Sequence, residues 1–217
     1  MSETQVKSKK RVTDHGEVFT NEREVNAMLD LVKQETERID SRFLEPACGT
    51  GNFLVEILRR KLTIVTNKYK KSQLEFERYA VIAVSSIYGV DLLEDNAQEC
   101  RERLLNIFRE TYTSIFKQKI KEDCIDTIAF ILSKNILVGD ALTLLQNNGK
   151  PIIFAEWSAV NGSMIKRRDY TLDELLRNQP MEEPNLFSDL GDKAFIPTPI
   201  KEYKLTHFLK LNQQDED

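Results

Sequence analysis

The chain has 217 residues, 41% of them apolar and 30% charged, with a formal net charge of −4. That length suits one α/β domain around a single core, no apolar run is long enough to cross a bilayer, and Met1 to Arg11 lacks the pattern of a signal peptide, so a cytoplasmic protein is the default expectation. The acidic balance excludes a domain that grips nucleic acid by bulk positive charge, and the wide spacing of Cys48, Cys100 and Cys124 excludes a disulfide scaffold and a zinc site, leaving reduced, buried thiols.

Residues 1–15 are polar and read as a flexible N-terminal segment, its basic cluster Lys7 to Arg11 being a solvated tail or a phosphate contact. Order begins at Gly16-Glu17-Val18-Phe19-Thr20. Asn21 with Glu24 three residues on is a capping-box signal, and Val25, Met28, Leu29 and Val32 recur at helical spacing, which predicts a helix over about Glu22 to Glu37. Arg42-Phe43-Leu44-Glu45-Pro46-Ala47-Cys48-Gly49-Thr50-Gly51-Asn52-Phe53-Leu54 then reads as strand, tight turn and helix. Gly49 and Gly51 allow positive φ and close approach of a ligand to bare backbone, and the start of the following helix favours a carboxylate or phosphate. Glu45 reaches the same crevice, where open α/β sheets bind ligands. A glycine turn used only for geometry is the structural alternative.

Leu54, Ile57, Leu58 and Leu62 mark the packed face of the next helix, Thr66 to Gln73 a lysine-rich surface connection, and Leu74 to Ser85 another helix. Ile87-Tyr88-Gly89-Val90-Asp91 is a short buried strand ending in an acid that can accept both hydroxyls of a ribose or cap the next helix. Glu94 to Phe116 is a long amphipathic helix and Lys121 to Ser133 a shorter one. Asn135 to Val138 is a strand running into Gly139-Asp140-Ala141, which is either a ligand-contacting loop or a plain turn. Pro151 to Ser158 is a further strand. Beyond it, Lys166-Arg167-Arg168 reads as a basic loop, Thr171 to Asn178 as a helix capped by Thr171 and Glu174, Gln179 to Pro199 as an irregular connection, and Lys204 to Leu211 as a returning strand. His207 is a core or edge histidine, and His15 carries no stronger claim.

The string from Phe43 to Leu54 resembles the S-adenosylmethionine-binding motif of the adenine-specific, amino-methylating DNA methyltransferases, including the modification subunits of restriction systems. The resemblance implies a Rossmann-like class I methyltransferase fold, a mostly parallel sheet flanked by helices. It implies S-adenosyl-L-methionine as cofactor, no metal, and a binding set of Phe19, Thr20, Glu45, Pro46, Ala47, Cys48, Gly49, Gly51, Asn52, Asp91, Leu92, Asp140 and Ala141. In that set Phe19 and Thr20 form the lip, Asp91 holds the ribose, Leu92 lies beside the adenine and Asp140 takes its exocyclic amino group.

One motif departs from the family. The catalytic Asn-Pro-Pro-Tyr, which orients a flipped-out adenine at the sulfonium methyl, is absent, and Glu156-Trp157-Ser158 stand in its place. Glu156 as acceptor of an amino hydrogen and Trp157 as a stacking platform are the catalytic candidates. The expected divisions are the segment 1–15, an S-adenosylmethionine-binding α/β domain over 16–160, and an irregular extension over 161–217, too short for a complete sheet plus a target-recognition domain, so that the C-terminal half is incomplete. The resulting expectation is an adenine-N6 DNA methyltransferase of restriction-modification or phage-defence type, acting on DNA with a DNA-recognising partner polypeptide. The alternatives are a catalytically deficient cofactor-binding accessory or sensor subunit, and a methyltransferase of a protein or small molecule.

Overall fold

Short apolar segments and amphipathic helices alternate along the chain, and a computed structural model describes residues 7–15, 18–177 and 197–215. In order these form α1 (Lys9–His15), α2 (Glu22–Leu31), α3 (Lys33–Thr36), β1 (Phe43–Glu45), α4 (Asn52–Tyr69), α5 (Gln73–Ser85), β2 (Ile87–Asp91), α6 (Glu94–Phe116), α7 (Glu122–Asn135), β3 (Ile136–Val138), β4 (Ile153–Asn161), β5 (Met164–Thr171), α8 (Leu172–Arg177), β6 (Lys201–Glu202) and β7 (Thr206–His207). A 3₁₀ stretch over Phe208–Asp215 follows.

Strands β1, β2 and β3 pair in parallel in that order, with Glu45 opposite Gly89 and Asp91 opposite Val138. Side chains alternate between the two faces. Phe43, Ile87 and Ile136 point into the large core built with the helices, whereas Tyr88 and Val90 point to the other face, where they meet only Ile152, Phe154 and Leu172 among buried apolar residues. The helical face is laid down by the expected stripes, Leu54, Ile57, Leu58 and Leu62 on α4 and Leu104, Phe108 and Tyr112 on α6, all buried.

Several boundaries differ from the sequence reading, each for a local reason. The first expected helix breaks at Val32 (φ −116°, ψ 31°) into α2 and α3, although Asn21 caps it as expected, accepting the Glu24 N–H at 2.9 Å. The lysine-rich stretch from Thr66 continues α4 to Tyr69, because Leu62 and Val65 keep it on the core and Tyr69 stacks on Tyr79 at 4.0 Å. Residues 9–15 are helical, with Lys7 and Arg11 ion-paired to Asp95 and Glu99, so this part of the expected flexible segment is docked and its basic cluster is not a free tail.

The largest correction concerns β4. It does not extend the parallel sheet but pairs antiparallel with β5 from Ile153 opposite Thr171 to Asn161 opposite Met164, and β5 also pairs with β6 and β7. Among the described residues the parallel sheet therefore has three strands, and the expected boundary at 160 falls inside a hairpin. The returning strand over Lys204 to Leu211 reduces to Thr206–His207, since Phe208 and Leu211 turn into the core as part of the 3₁₀ stretch. Lys166 to Arg168 lie in β5, not in a loop. Arg167 is buried there, its guanidinium gripping Asp169 at 2.8 and 2.9 Å and Asp215 at 2.7 Å, with the Tyr203 ring 4.0 Å away. The helix expected from Thr171 forms as α8, with Thr171 Oγ1 accepting the Glu174 N–H at 3.2 Å. The irregular connection expected from Gln179 lies mostly outside the described residues.

Lys61 on α4 is fully buried under the amino ends of β1 and β2, donating to the carbonyls of Ile39 (3.1 Å) and Ser41 and to Ser86 Oγ (2.5 Å). Burial pushes its ammonium down to about 7, against the opposing pull of Asp40 and Glu35. An unfolded lysine titrates at about 10.4, so above about pH 7 the unfolded chain holds the extra proton and stability rises with pH. Urea denaturation is expected to give a larger unfolding free energy at about pH 9 than at about pH 7, and Lys61→Met to lose about 2 kcal/mol at pH 7 and to flatten that slope.

Candidate functional site

A cleft of about 470 Å³ opens at the carboxyl ends of the three parallel strands. Three acids stand there: Glu45 at the end of β1, Asp91 at the end of β2, and Asp140 two residues past β3. The turns after the strands place them. Glu45 is followed by Pro46-Ala47, and burial raises its carboxyl pKa while the Ala47 N–H, at 3.4 Å, opposes the rise. Asp91 Oδ2 accepts the Gly49 N–H at 2.8 Å, and Oδ1 accepts the Leu93 N–H at 2.9 Å and the Asn96 side-chain amide at 3.2 Å. Asp140 Oδ1 accepts the Leu142 N–H at 2.8 Å, and chiefly that bond holds its carboxyl below the usual range.

The glycine loop is shaped by two distinct constraints. Gly49, at φ +52°, carries the Phe19 ring so closely that a Cβ would lie 3.1 Å from it, and this seats Phe19 on the loop. Gly51, at φ +89°, is the N-cap of α4, and a Cβ there would meet Cys100 Sγ at 2.5 Å. Both conformations are left-handed, which glycine adopts without steric cost. With no side chain at the cap, the first N–H groups of α4 face the cleft unassisted. Arg103 of α6 braces the turn, donating to the Thr50 carbonyl (2.8 Å), Thr50 Oγ1 (3.0 Å) and Asn52 Oδ1 (2.8 Å), while Asn52 Nδ2 donates to the Thr20 carbonyl at 2.9 Å. Cys48 is pushed far up as a thiol by its contact with Cys100 and by burial, and so is no thiolate nucleophile at neutral pH.

Of the residues expected to bind a cofactor, Phe19, Thr20, Glu45, Pro46, Ala47, Cys48, Gly49, Asn52, Asp91, Leu92, Asp140 and Ala141 all line this one cleft. Gly51 does not; it lies behind the loop, against Cys100. The structural alternatives for Asp91 and Asp140 hold locally as well, since Asp91 caps the entry to α6 and Asp140 forms a turn. Sequence reading left out of the binding set Val18, Phe53, Leu93, Asn96, Gly139 and Leu142, which also line the cleft, and Arg103, which braces it. A signal for two of them existed. Asn96, Cys100 and Arg103 share one stripe of α6 with buried Ala97 and Leu104, so polar residues interrupt its apolar face.

Glu156 and Trp157 are not at the cleft. The start of β4 packs near Gly139, where a Cβ would meet Ile152 at 2.7 Å; midway, Ala155 accepts the Tyr88 hydroxyl at 3.0 Å. At its far part the Trp157 indole N–H donates to Asn135 Oδ1 at 2.9 Å, at the amino end of β3. β4 thus runs down the face of the sheet from carboxyl edge to amino edge. Trp157 is buried, with Phe130 edge-on at 6.1 Å. Glu156 is held by Arg42, just before β1, by Ser158 Oγ at 2.7 Å and by Arg168 at 3.6 Å. Glu156 lines the groove beside β1 that shares Pro46 and Ala141 with the cleft, and neither side chain lines the cleft itself. Among the described residues no cluster of three or more His, Cys, Asp or Glu could hold a metal ion.

A glycine turn between strand and helix, followed by acids at the ends of the next two parallel strands, places a cleft at the carboxyl edge of the sheet, where open α/β folds bind ligands. Residues 16–151, more than half of the chain, match the MmeI DNA-methyltransferase domain, and the chain belongs to that family, a DNA methyltransferase domain of restriction-modification type. No curated protein and no solved structure matches it. The matched span holds the whole cleft and stops before β4.

Gly51→Ala is expected to lower stability by about 2–3 kcal/mol, because strain in the left-handed region adds to the clash with Cys100. Gly162→Ala, at φ +49° with open space around it, is expected to cost only about 1 kcal/mol. Thermal denaturation of the two variants checks the difference.

Proposed function

We propose that the chain binds S-adenosyl-L-methionine in this cleft as the cofactor half of an adenine-N6 DNA methyltransferase, and that a partner polypeptide contributes DNA recognition. The observation that carries the reading is the convergence of Glu45, Asp91, Asp140 and the Gly49–Asn52 turn on one cleft in a chain of this family. A cleft of about 470 Å³ lies within the range of small-ligand sites. Its carboxylates suit a ligand that carries a sulfonium, an ammonium and two ribose hydroxyls, all of them cationic groups or donors.

When bound, the cofactor supplies an electrophilic sulfonium methyl. The chain's own residues bind and orient it. Asp91 keeps one acceptor site, on Oδ2, beyond its three N–H donors and accepts a ribose hydroxyl there. Asp140, its carboxylate kept ionised by the Leu142 N–H, accepts the adenine amino group. The uncapped first turn of α4 receives the carboxylate end of the ligand, and Leu92 and the Phe19 ring give apolar walls that exclude water from the nucleoside.

The alternative reading is a catalytically deficient accessory or sensor subunit with the same cleft. Two observations favour it: the sequence has no Asn-Pro pair, and Glu156 and Trp157 lie at the opposite edge of the sheet.

Isothermal titration with S-adenosylmethionine is expected to show one site, and Asp91→Ala to weaken it by at least about tenfold, as loss of a charged acceptor does. Unchanged binding in both Asp91→Ala and Asp140→Ala overturns the site. Transfer of labelled methyl to adenine-containing DNA, assayed alone and with candidate partner chains, then separates the two readings: transfer identifies the enzyme, and binding without transfer the accessory subunit.

A further inference from the structure

No described side chain of helix α1 belongs to either apolar core, yet the helix is fixed in place. The ion pairs that hold it fall on the first turns of α6. Arg11 grips Asp95 with both terminal nitrogens, at 2.6 and 3.1 Å, and Lys7, just ahead of the helix, reaches Glu99 at 2.7 Å and Asp95 at 3.5 Å. Arg11, and then Lys7, hold the Asp95 carboxyl down to about 2, so these pairs persist through neutral pH.

Between Asp95 and Glu99 stands Asn96, 1% exposed. Its Oδ1 accepts from Lys7 Nζ at 3.0 Å and from Arg11 Nη2 at 3.1 Å, and its Nδ2 donates to Asp91 Oδ1 at 3.2 Å. Two cationic donors on one oxygen fix which end of the amide faces Asp91. They also polarise the amide, strengthening its N–H as a donor to the carboxylate.

We propose that Lys7 and Arg11 are positioning residues for the cofactor cleft, orienting the Asp91 carboxylate through the Asn96 amide. This deepens the reading of Asp91 as a ligand-binding acid and rests on it. The same stretch of chain is pinned on the other side of the cleft, where Asn52 holds the Thr20 carbonyl. Val18, Phe19 and Thr20 line the cleft between these two anchors. Charge on α6 and a hydrogen bond on α4 thus set one wall of the site, with almost no apolar burial from α1 itself.

The test uses the full chain and S-adenosylmethionine as the titrant. Lys7→Ala/Arg11→Ala is expected to bind about five- to tenfold more weakly, the scale of an ordinary coupling between sites, with an unchanged melting temperature. Arg11→Lys, which keeps the charge, is expected to recover most of the affinity. In a double-mutant cycle, Arg11→Ala is expected to add nothing once Asn96→Ala is present. Wild-type affinity in Lys7→Ala/Arg11→Ala, or additive effects in the cycle, overturns the proposal. A second measurement stands apart from cofactor binding: the Asn96 side-chain amide protons, followed by NMR, are expected to exchange faster in Lys7→Ala/Arg11→Ala, and unchanged exchange overturns the coupling. If the wild-type chain binds no S-adenosylmethionine and the variant still shows the faster exchange, the proposed ligand is removed and the coupling stands.

Discussion

A partly buried carboxylate has to find donors, and Asp91 finds three, each from a different place in the chain. The Gly49 N–H comes from the turn after β1, the Leu93 N–H from the entry to α6, and the Asn96 amide from the first turn of that helix. One side chain therefore ties the glycine loop, the end of the central strand and the start of α6 into a fixed arrangement. The Cys48 N–H, donating to the Val90 carbonyl at 2.9 Å, adds a backbone tie along the same seam. What makes the loop rigid also makes it a cleft, because the turn is held open toward solvent by bonds that run behind it.

The parallel sheet is covered unequally, and this sets the limits of the site. Its helical face carries the main core, while Tyr88 and Val90 on the other face are covered by only a few residues from β4 and α8. Among the described residues β1 pairs with β2 alone. Beside its free edge lies an apolar groove of about 560 Å³, lined by Leu44, Tyr88, Phe154, Leu172 and Leu176, which shares Pro46 and Ala141 with the cleft. The cleft is thus walled by the glycine loop, α6 and the Asp140 turn, and continues into this groove on the side of β1.

Charge is spent internally. Lys7 and Arg11 neutralise α6, Arg167 and Lys134 neutralise Asp215, Lys121 meets the fully buried Glu77, and Lys61 serves backbone carbonyls. Each pairing follows from a buried or half-buried acid or carbonyl that would otherwise lose its hydration. Of the basic clusters visible in the sequence, Lys7 and Arg11 face an acidic helix turn, and Arg167 sits inside the antiparallel sheet.

The sequence by itself determined the local elements that sit on strong periodicity or cap chemistry: the Asn21 cap, the stripes of α4 and α6, the strand endings at Glu45 and Asp91, and the glycine turn. These are legible because helix and strand periods, and the steric freedom of glycine, act within a few residues of chain. The convergence of Glu45, Asp91 and Asp140 was legible as well, since parallel strands joined by helices bring all their carboxyl ends to one edge, and the place of Phe19 beside them was expected from the family resemblance alone. Only the tertiary structure decided the course of β4. An apolar strand is compatible with either sheet, and what turned it was the hairpin with β5, the burial of Arg167 and the bond from the Trp157 indole to Asn135. Only the tertiary structure, too, revealed what Arg103, Asn96, Lys7 and Arg11 do for the cleft. The interrupted stripe of α6 marks Asn96 and Arg103 in the sequence but not their partners, and the bonds of Arg103 to Thr50 and Asn52 and of Lys7 and Arg11 to Asn96 join residues more than fifty positions apart, which no sequence period records.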